Sequence, residues 1–425
     1  MEALVISFVV LLLLGVPVVF VLGISMLAYF VATDQLQFLL VLPQRMFAGI
    51  DEFVLLAIPL FILAGSLMEV GGLTHRLLEF ANACVGRFRG GVSLTAIWAS
   101  FLFGGVSGSA AADAAALGAV LIPEMKRQGY NNDYAAALMG TSSLMAPLIP
   151  PSIAMVLYGA LSNTSIARLF VAGIVPGVML AVALTIYAAW VARRRDYPRR
   201  KPPTRSEFVR AALAAGPVMI LPVIIVVGIR GGVFTPTEAA AVASIYAFLI
   251  AAFYYRVLSF ASLGRALLNT AVISAAIFML VAMANIAAFI FSIEQIPERV
   301  VNALFSISEN PVAVLLMVNV VLLFLGMILD TVGILILTVP ALVGIGHVLH
   351  MDPVHLGVMV VFNCLIGFVT PPVGLCLFIV AGVGKTTIDK VAWHALPMIA
   401  IAIVILLLIT FIPQLVLVLP NLIVG

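Results

Sequence analysis

The chain has 425 residues, of which 64% are hydrophobic and only 9% are charged. Soluble domains carry about 25% charged residues, so this composition excludes a soluble globular protein. Apolar runs of about 20 residues, the length that crosses a bilayer core, recur along the whole chain and predict an all-α polytopic membrane protein. The net charge of +3 is less informative than the positions of the charges, which orient membrane segments.

The first half of the chain, 1–192, is predicted to combine spanning helices with a first structural repeat. The N-terminal segment has no basic region, so we interpret it as a retained spanning helix and not as a cleaved signal. The segment 35–50 contains Arg45 and is interpreted as interfacial, and 73–86 is an amphipathic connection. Full spans are predicted at 3–32, 53–70 and 168–192.

The segment 88–127 is predicted to enter the membrane and return to the same face. Two apolar limbs flank a tip of small residues, Gly104-Gly105-Val106-Ser107-Gly108-Ser109, and both ends are basic. Such a re-entrant hairpin requires protein or a water-filled cavity around its tip. The next segment, 134–163, is predicted to be a spanning helix broken at Pro150-Pro151, because proline lacks an N–H and clashes with the preceding turn.

The loop 193–205 separates the two halves and holds seven of the 21 Lys and Arg residues. Positively charged loops lie predominantly on the cytoplasmic side, so we expect this loop to be cytoplasmic. A basic run can also bind nucleic acid, but its position between two spanning helices argues against a nucleic-acid partner.

The second half, 206–425, is predicted to repeat the order of the first. A second hairpin, 310–350, has its tip at Gly326–Gly333, and a second broken helix, 354–384, is interrupted at Thr370-Pro371-Pro372-Val373-Gly374. Spanning helices are predicted at 211–229, 238–255 and 268–292, and residues 391–419 close the chain.

The two halves match in spacing and differ in charge. Pro150 and Pro371 lie 221 residues apart, and Gly104 and Gly326 lie 222 apart. The base of the first hairpin carries four Lys or Arg residues, whereas the base of the second carries none, only Glu309 and the region around His347, His350 and Asp352. This asymmetry favours inverted-topology repeats, in which broken helices mark substrate and ion sites. The alternative is that both interrupted stretches are kinked spanning helices.

Helix ends inside a membrane expose N–H groups that attract anions, and carbonyl groups that bind cations together with hydroxyl or carboxylate oxygens. Asp330 is the most informative single residue, because a carboxylate within a bilayer normally faces a cavity or a cation. It could equally cap the helix that begins at Thr331, and Asp113 carries the same ambiguity, with capping favoured. Thr235 and Glu238 have the spacing of a capping box. The sequence contains no nucleotide-binding or hydrolase motif, so no enzyme is indicated.

Four separated motifs resemble the large membrane subunit of tripartite ATP-independent periplasmic (TRAP) transporters, in the ion transporter superfamily: VSGSAAADAAALGAVLIPEM, PLIPPSIAMVLYG, FTPTEAAAVAS and NCLIGFVTPPVGLCLF. The resemblance implies sodium-coupled import of an organic anion across a bacterial inner membrane. It also implies two partners, a small four-helix membrane subunit and a periplasmic substrate-binding protein. The hairpins and broken helices would form an elevator-type transport domain that moves against a static scaffold.

The resemblance also implies which residues bind each ion. Sodium is expected near Ser107, Ser109, Gly326, Asp330, Gly367 and Thr370. The substrate, a sialic acid, C4-dicarboxylate or related carboxylate, is expected near Ser142, Ser143, Pro150 and Asn363. No Lys or Arg lies in the tips or breaks, so anion recognition would depend on helix N-termini, hydroxyls and sodium, unless the substrate reaches Arg168 or Lys385 in one state. A self-sufficient anion carrier or exchanger that needs no binding protein is the alternative, and an anion channel is a third hypothesis.

Overall fold

A computed structural model describes residues 2–199 and 202–423. Arg200 and Lys201, two basic residues of the 193–205 loop, lie outside the described residues. The first half forms the helices α1 (Glu2–Leu13), α2 (Val18–Ala32), α3 (Leu42–Ile50), α4 (Ala57–Val70), α5 (Leu73–Val85), α6 (Gly91–Ser107), α7 (Ala110–Arg127), α8 (Asn132–Ser142), α9 (Ile153–Ser162) and α10 (Ile166–Arg194).

The second half forms an equally helical series. Its helices are α11 (Arg205–Arg230), α12 (Pro236–Leu249), α13 (Phe260–Ile293), α14 (Ile296–Ile307), α15 (Pro311–Gly326), α16 (Thr331–Val348), α17 (Pro353–Gly367), α18 (Leu375–Gly384), α19 (Ile388–Phe411) and α20 (Pro413–Ile423). Short 3₁₀ turns precede α3 and α4 and follow α8, and a π-helical turn follows α12.

Helix length and composition identify a multi-pass membrane protein. Among the described residues, seven helices are long and apolar enough to cross a membrane, or eight if a bent pair counts as one span. That pair joins Asn132–Leu148 to Ile153–Ser162 at an angle of 45°.

Both terminal segments form two helices, and for 3–32 this differs from the prediction of a single span. The segment 3–32 forms two helices, α1 and α2, that pack against each other, because Gly15 turns the chain with φ +75° and Pro17 cannot donate a helical hydrogen bond. The segment 391–419 is likewise divided into α19 and α20, where Pro413 begins the second helix. The amphipathic helix α14 lies in a region to which the sequence pattern assigned no element.

Helices at corresponding positions in the two halves make corresponding contacts. In what we call the core group (α6–α9 and α15–α18), α7 packs against α18 of the other half, and α16 packs against α9. The long helices also pack across the two halves at corresponding positions, since α10 contacts α17 and α19 contacts α8. Each half therefore completes the packing of the other.

A second set of helices, the support group (α3, α4, α12 and α13), lies beside the core group. Helix α12 packs on α4, α3 packs on α13, and α4 and α13 contact each other. Helix α12 begins with the predicted capping box, which is confirmed: the Thr235 hydroxyl accepts from the Glu238 N–H at 3.3 Å, and the Glu238 carboxylate accepts from the Thr235 N–H at 2.8 Å. Glu238 is therefore a capping residue.

The bases of the two helix pairs α6–α7 and α15–α16 lie at opposite ends of α10. At the C-terminal end of α10, Asp196 forms an ion pair with Arg89, just before α6, at 3.3 Å. At the N-terminal end, Arg168 lies 3.8 Å from Asp352, just after α16. Because α10 is long and apolar enough to cross a membrane, the two pairs begin from opposite sides of the helical layer.

Candidate functional site

Tip one (104–109) is pressed against break one (143–152). Helix α6 ends at Ser107, Gly108 turns the chain with φ +59°, and the Ser109 hydroxyl caps α7 by accepting from the Ala112 N–H at 3.4 Å. A methyl carbon added at Gly108 would lie only 2.4 Å from the carbonyl oxygen of Pro151. The backbone of the tip therefore approaches the backbone of the break as closely as glycine permits.

Tip two (326–331) makes the equivalent approach to break two (367–374). A methyl carbon added at Gly326 would lie 3.0 Å from the Cys364 carbonyl oxygen, and the Gly374 N–H donates to the Met327 carbonyl at 3.4 Å. The Thr370 hydroxyl donates to the Ile366 carbonyl at 2.7 Å, which satisfies one carbonyl near the end of α17. Gly326, Gly367 and Thr370 thus belong to one backbone cluster.

Asp330 caps α16, as one of the two interpretations of its sequence position predicts. Its carboxylate accepts from the N–H groups of Val332 at 3.2 Å and Gly333 at 3.4 Å. Asp113 differs from the capping role that its position favoured: α7 is capped by Ser109, and neither Asp113 carboxylate oxygen has a hydrogen-bond partner among the described residues. The Asp113 side chain is fully buried and faces Ser100.

A cavity of about 300 Å³ lies between the two tips and the support group. The first turns of four helices line it: α7 through Ala110, Ala111 and Ala112, α9 through Ile153 and Ala154, α16 through Thr331 and Val332, and α18 through Leu375. The N-terminal end of a helix carries unpaired N–H groups and a partial positive charge. Ser109, Ser152 and the Asp330 carboxylate each cap one of these helices and bind part of its N–H groups, whereas α18 has no side-chain cap. The remaining N–H groups and the four helix dipoles make the cavity suitable for an anion.

Polar side chains reach the cavity from both sides. Ser107, Ser109 and Asp330, three of the residues expected near sodium, line it from the tips. The opposite wall carries Ser66, Glu69 and Asn269 from α4 and α13. In the described part of the chain, the lining residues include no Lys, Arg or His. Positive potential in the cavity therefore comes from the helix N-termini.

The four residues expected to contact the substrate are buried outside the cavity lining. Ser143 donates to the Gly140 carbonyl at 2.8 Å, and the Asn363 amide donates to the Asn319 side chain at 2.7 Å. The Ser142 hydroxyl is fully buried without a hydrogen-bond partner in the described part of the chain, and Pro150 is also buried. Their role in substrate binding stays a prediction.

The support-group wall was missed by sequence reasoning, which concentrated on helix breaks. Ser66 and Glu69 lie in the apolar span Phe53–Val70 and share a helix face with Ile62 and Gly65. Polar residues within a membrane span are themselves a functional signal, and this signal could have identified both residues.

Comparison with known proteins first defines the class of fold. The crystal structure of the YdaH transporter of Alcanivorax borkumensis matches with a TM-score of 0.63, covering 92% of this chain and 90% of that one at 16% sequence identity. The chain therefore shares the overall fold of that protein.

The family follows from sequence. Residues 5–415 match the model of the tripartite ATP-independent periplasmic transporter, DctM component. The sialic acid TRAP transporter large permease protein SiaM of Vibrio cholerae is 38% identical, with 98% of this chain and 97% of the relative covered. The C4-dicarboxylate TRAP transporter large permease protein DctM of Pseudomonas aeruginosa is also 38% identical, with 89% and 88% covered.

The chain belongs to the DctM family of TRAP transporter large permeases. The resemblance that the four sequence motifs indicated is thereby confirmed. These relatives are named as permeases and not as enzymes, in agreement with the lack of enzyme motifs in the sequence.

Proposed function

We propose that this permease imports an organic anion together with sodium across a bacterial inner membrane, receiving it from a periplasmic substrate-binding protein. A separate small membrane subunit of four helices would complete the membrane complex. The observation that carries this proposal is the convergence of four helix N-termini on one cavity whose lining, among the described residues, includes no basic side chain. Such a site attracts a carboxylate through N–H groups and helix dipoles, as half-helices do in secondary transporters.

Sodium would be a transported co-substrate held at the two tips. The oxygen atoms needed by a hard cation are present: the Asp330 carboxylate, the Ser107 and Ser109 hydroxyls, and backbone carbonyls at the ends of α6, α15 and α17. Gly326, Gly367 and Thr370 would contribute through the backbone or a hydroxyl at tip two and break two. A bound sodium ion would also add positive charge beside the anion.

The substrate carboxylate would occupy the helix N-termini of the cavity. The sialic acid and C4-dicarboxylate named for the two relatives define the candidate substrate classes. Ser142, Ser143, Pro150 and Asn363 are buried outside the cavity lining, so contact between these residues and the substrate would require a rearrangement around the cavity.

Movement of the core group against the support group would provide alternating access. The placement of the two helix-pair bases at opposite ends of α10, together with the basic base of the first pair, supports inverted re-entrant hairpins. The cavity lies at the junction of the two groups, where an elevator movement would carry it across the membrane. The 193–205 loop would then face the cytoplasm.

The test is uptake into proteoliposomes that contain this permease and its small subunit. Radiolabelled organic acids are supplied on the binding protein, with an inward sodium gradient or with potassium replacing sodium. Uptake only when sodium and the binding protein are both present supports the proposal. Uptake without the binding protein would indicate a self-sufficient carrier, and flux indifferent to sodium would indicate a channel.

A further inference from the structure

We propose that Glu69, with Ser66 and Asn269, forms a wall that selects a hydroxylated monocarboxylate over a dicarboxylate. This inference rests on the proposed transport function and concerns its substrate. Both relatives are 38% identical to this chain, so identity does not distinguish their two named substrates. The side chains that line the cavity do distinguish a hydroxylated monocarboxylate from a dicarboxylate.

The wall is a small polar patch on two helices of the support group. The Asn269 amide donates to the Ser66 hydroxyl at 3.2 Å, which joins α13 to α4. Glu69 lies on α4 one turn after Ser66 and is exposed at the edge of the cavity. In the part of the chain that the structure describes, no ion pair or hydrogen bond occupies its carboxylate.

The two sides of the cavity therefore favour different ligand groups, a carboxylate on one side and hydrogen-bond donors on the other. The N–H groups that the side-chain caps leave unbound at the four helix N-termini, together with the proposed sodium site at the tips, would attract a carboxylate. Glu69 offers only acceptor atoms, because an ionised carboxylate has no hydrogen to donate. A ligand that spans the cavity with a carboxylate at the helix ends should thus present hydroxyl or amide donors to Glu69.

A dicarboxylate fits this arrangement poorly. Its second carboxylate would face Glu69 across a cavity whose lining includes no Lys, Arg or His to neutralise either charge. Like charges that share a site repel each other, and Glu69 itself has no hydrogen to donate to that carboxylate. A sugar acid places hydroxyl groups in the same position, where they can donate to Glu69 and to the Asn269 side-chain oxygen.

The experiment measures binding without the binding protein, whose own selectivity would otherwise dominate. The permease and its small subunit are reconstituted in nanodiscs, and affinities are measured by calorimetry in sodium. N-acetylneuraminate, D-gluconate and D-glucuronate represent hydroxylated monocarboxylates, and succinate and fumarate represent dicarboxylates. Glu69→Gln is compared with Glu52→Gln, which alters an exposed glutamate that does not line the cavity.

We expect at least one hydroxylated acid to bind about tenfold or more tightly than either dicarboxylate, the gain expected from hydrogen bonds to a charged group. Glu69→Gln should reverse this preference by weakening the hydroxylated acid and strengthening the dicarboxylates, while Glu52→Gln changes neither. A wild-type preference for dicarboxylates, or an equal effect of Glu69→Gln on both classes, would overturn the inference. If no probe binds but the complete system takes up a substrate with sodium, the inference also fails while the proposed function stands.

Discussion

Gly326 at the end of α15 and Gly367 at the end of α17 are in direct backbone contact. A methyl carbon added at Gly367 would lie 2.4 Å from both the α-carbon and the carbonyl carbon of Gly326. Backbone atoms cannot rotate away as a side chain can, so this contact tolerates only glycine. It places the end of tip two on break two, where the proposed sodium ligands of the second half converge.

Gly367→Ala should reduce transport by separating tip two from break two. Overpacking of this kind costs about 1–3 kcal/mol, equivalent to roughly 5- to 150-fold in the population of the native arrangement. We therefore expect sodium-dependent uptake to fall about tenfold or more in proteoliposomes of equal protein content. Gly382→Ala is the matched control, because a methyl group there meets no atom within 4 Å. Equal uptake by the two variants would contradict the packing argument.

Gly108→Ala tests the equivalent contact at tip one. The new methyl carbon would meet the Pro151 carbonyl oxygen at 2.4 Å, and the residue has φ +59°. Gly232→Ala separates the two effects, since Gly232 has φ +66° but no atom within 4 Å of its added methyl carbon. Both variants should lower the melting temperature, whereas only Gly108→Ala should abolish sodium-dependent uptake. Loss of uptake in both variants would show that backbone strain alone is responsible.

The sequence predicts the positions of the two helix breaks better than the directions of buried side chains. The paired prolines Pro150-Pro151 and Pro371-Pro372 indicate where two helices are interrupted, whereas a single proline such as Pro176 lies inside a continuous helix. The directions of Ser143 and Asn363 depend on contacts made only after folding: Ser143 lies 3.7 Å from the Cys376 sulfur of the other half, and Asn363 bonds Asn319. No local pattern specifies such contacts.

The cavity wall also depends on contacts between residues that are distant in the sequence, which local patterns do not specify. Ser66 and Asn269 meet although 203 residues separate them, because α4 and α13 of different halves pack together. The prediction of a single span at 3–32 was wrong although the deciding signals are local. Gly15 and Pro17 divide the segment, but its uninterrupted hydrophobicity obscured them.

Asp330→Asn should weaken sodium activation while leaving α16 intact. Asparagine caps a helix about as well as aspartate, so the change removes charge from the cavity without removing the cap. Loss of the carboxylate charge removes its Coulomb attraction to the cation, so the sodium concentration for half-maximal uptake should rise about tenfold or more. Asp352→Asn is the control, since Asp352 caps α17 in the same way but does not line the cavity. Unchanged sodium activation in Asp330→Asn would remove Asp330 from the proposed sodium site.

Gly65→Leu should stop transport by keeping tip one away from α4. A methyl carbon at Gly65 would lie 3.0 Å from the Val106 carbonyl oxygen and 3.6 Å from the Ser107 α-carbon, so the support group touches the tip at this point. Gly65→Ala would require a shift of only a few tenths of an ångström and should retain most of the uptake. The leucine side chain would fill space that the tip occupies, and uptake should fall at least tenfold, since overpacking costs about 1–3 kcal/mol.

Gly264→Ala and Gly264→Leu are the controls for this pair of variants. Gly264 lies on α13 of the same support group, and a methyl carbon there meets no atom within 4 Å. Both positions gain the same helix propensity when glycine is replaced, so a difference between them reports contact with the tip. If the core group moves against the support group, Gly65→Leu should lose uptake while Gly264→Leu retains it. Normal uptake by Gly65→Leu would mean that tip one does not need to approach α4 at any stage of transport.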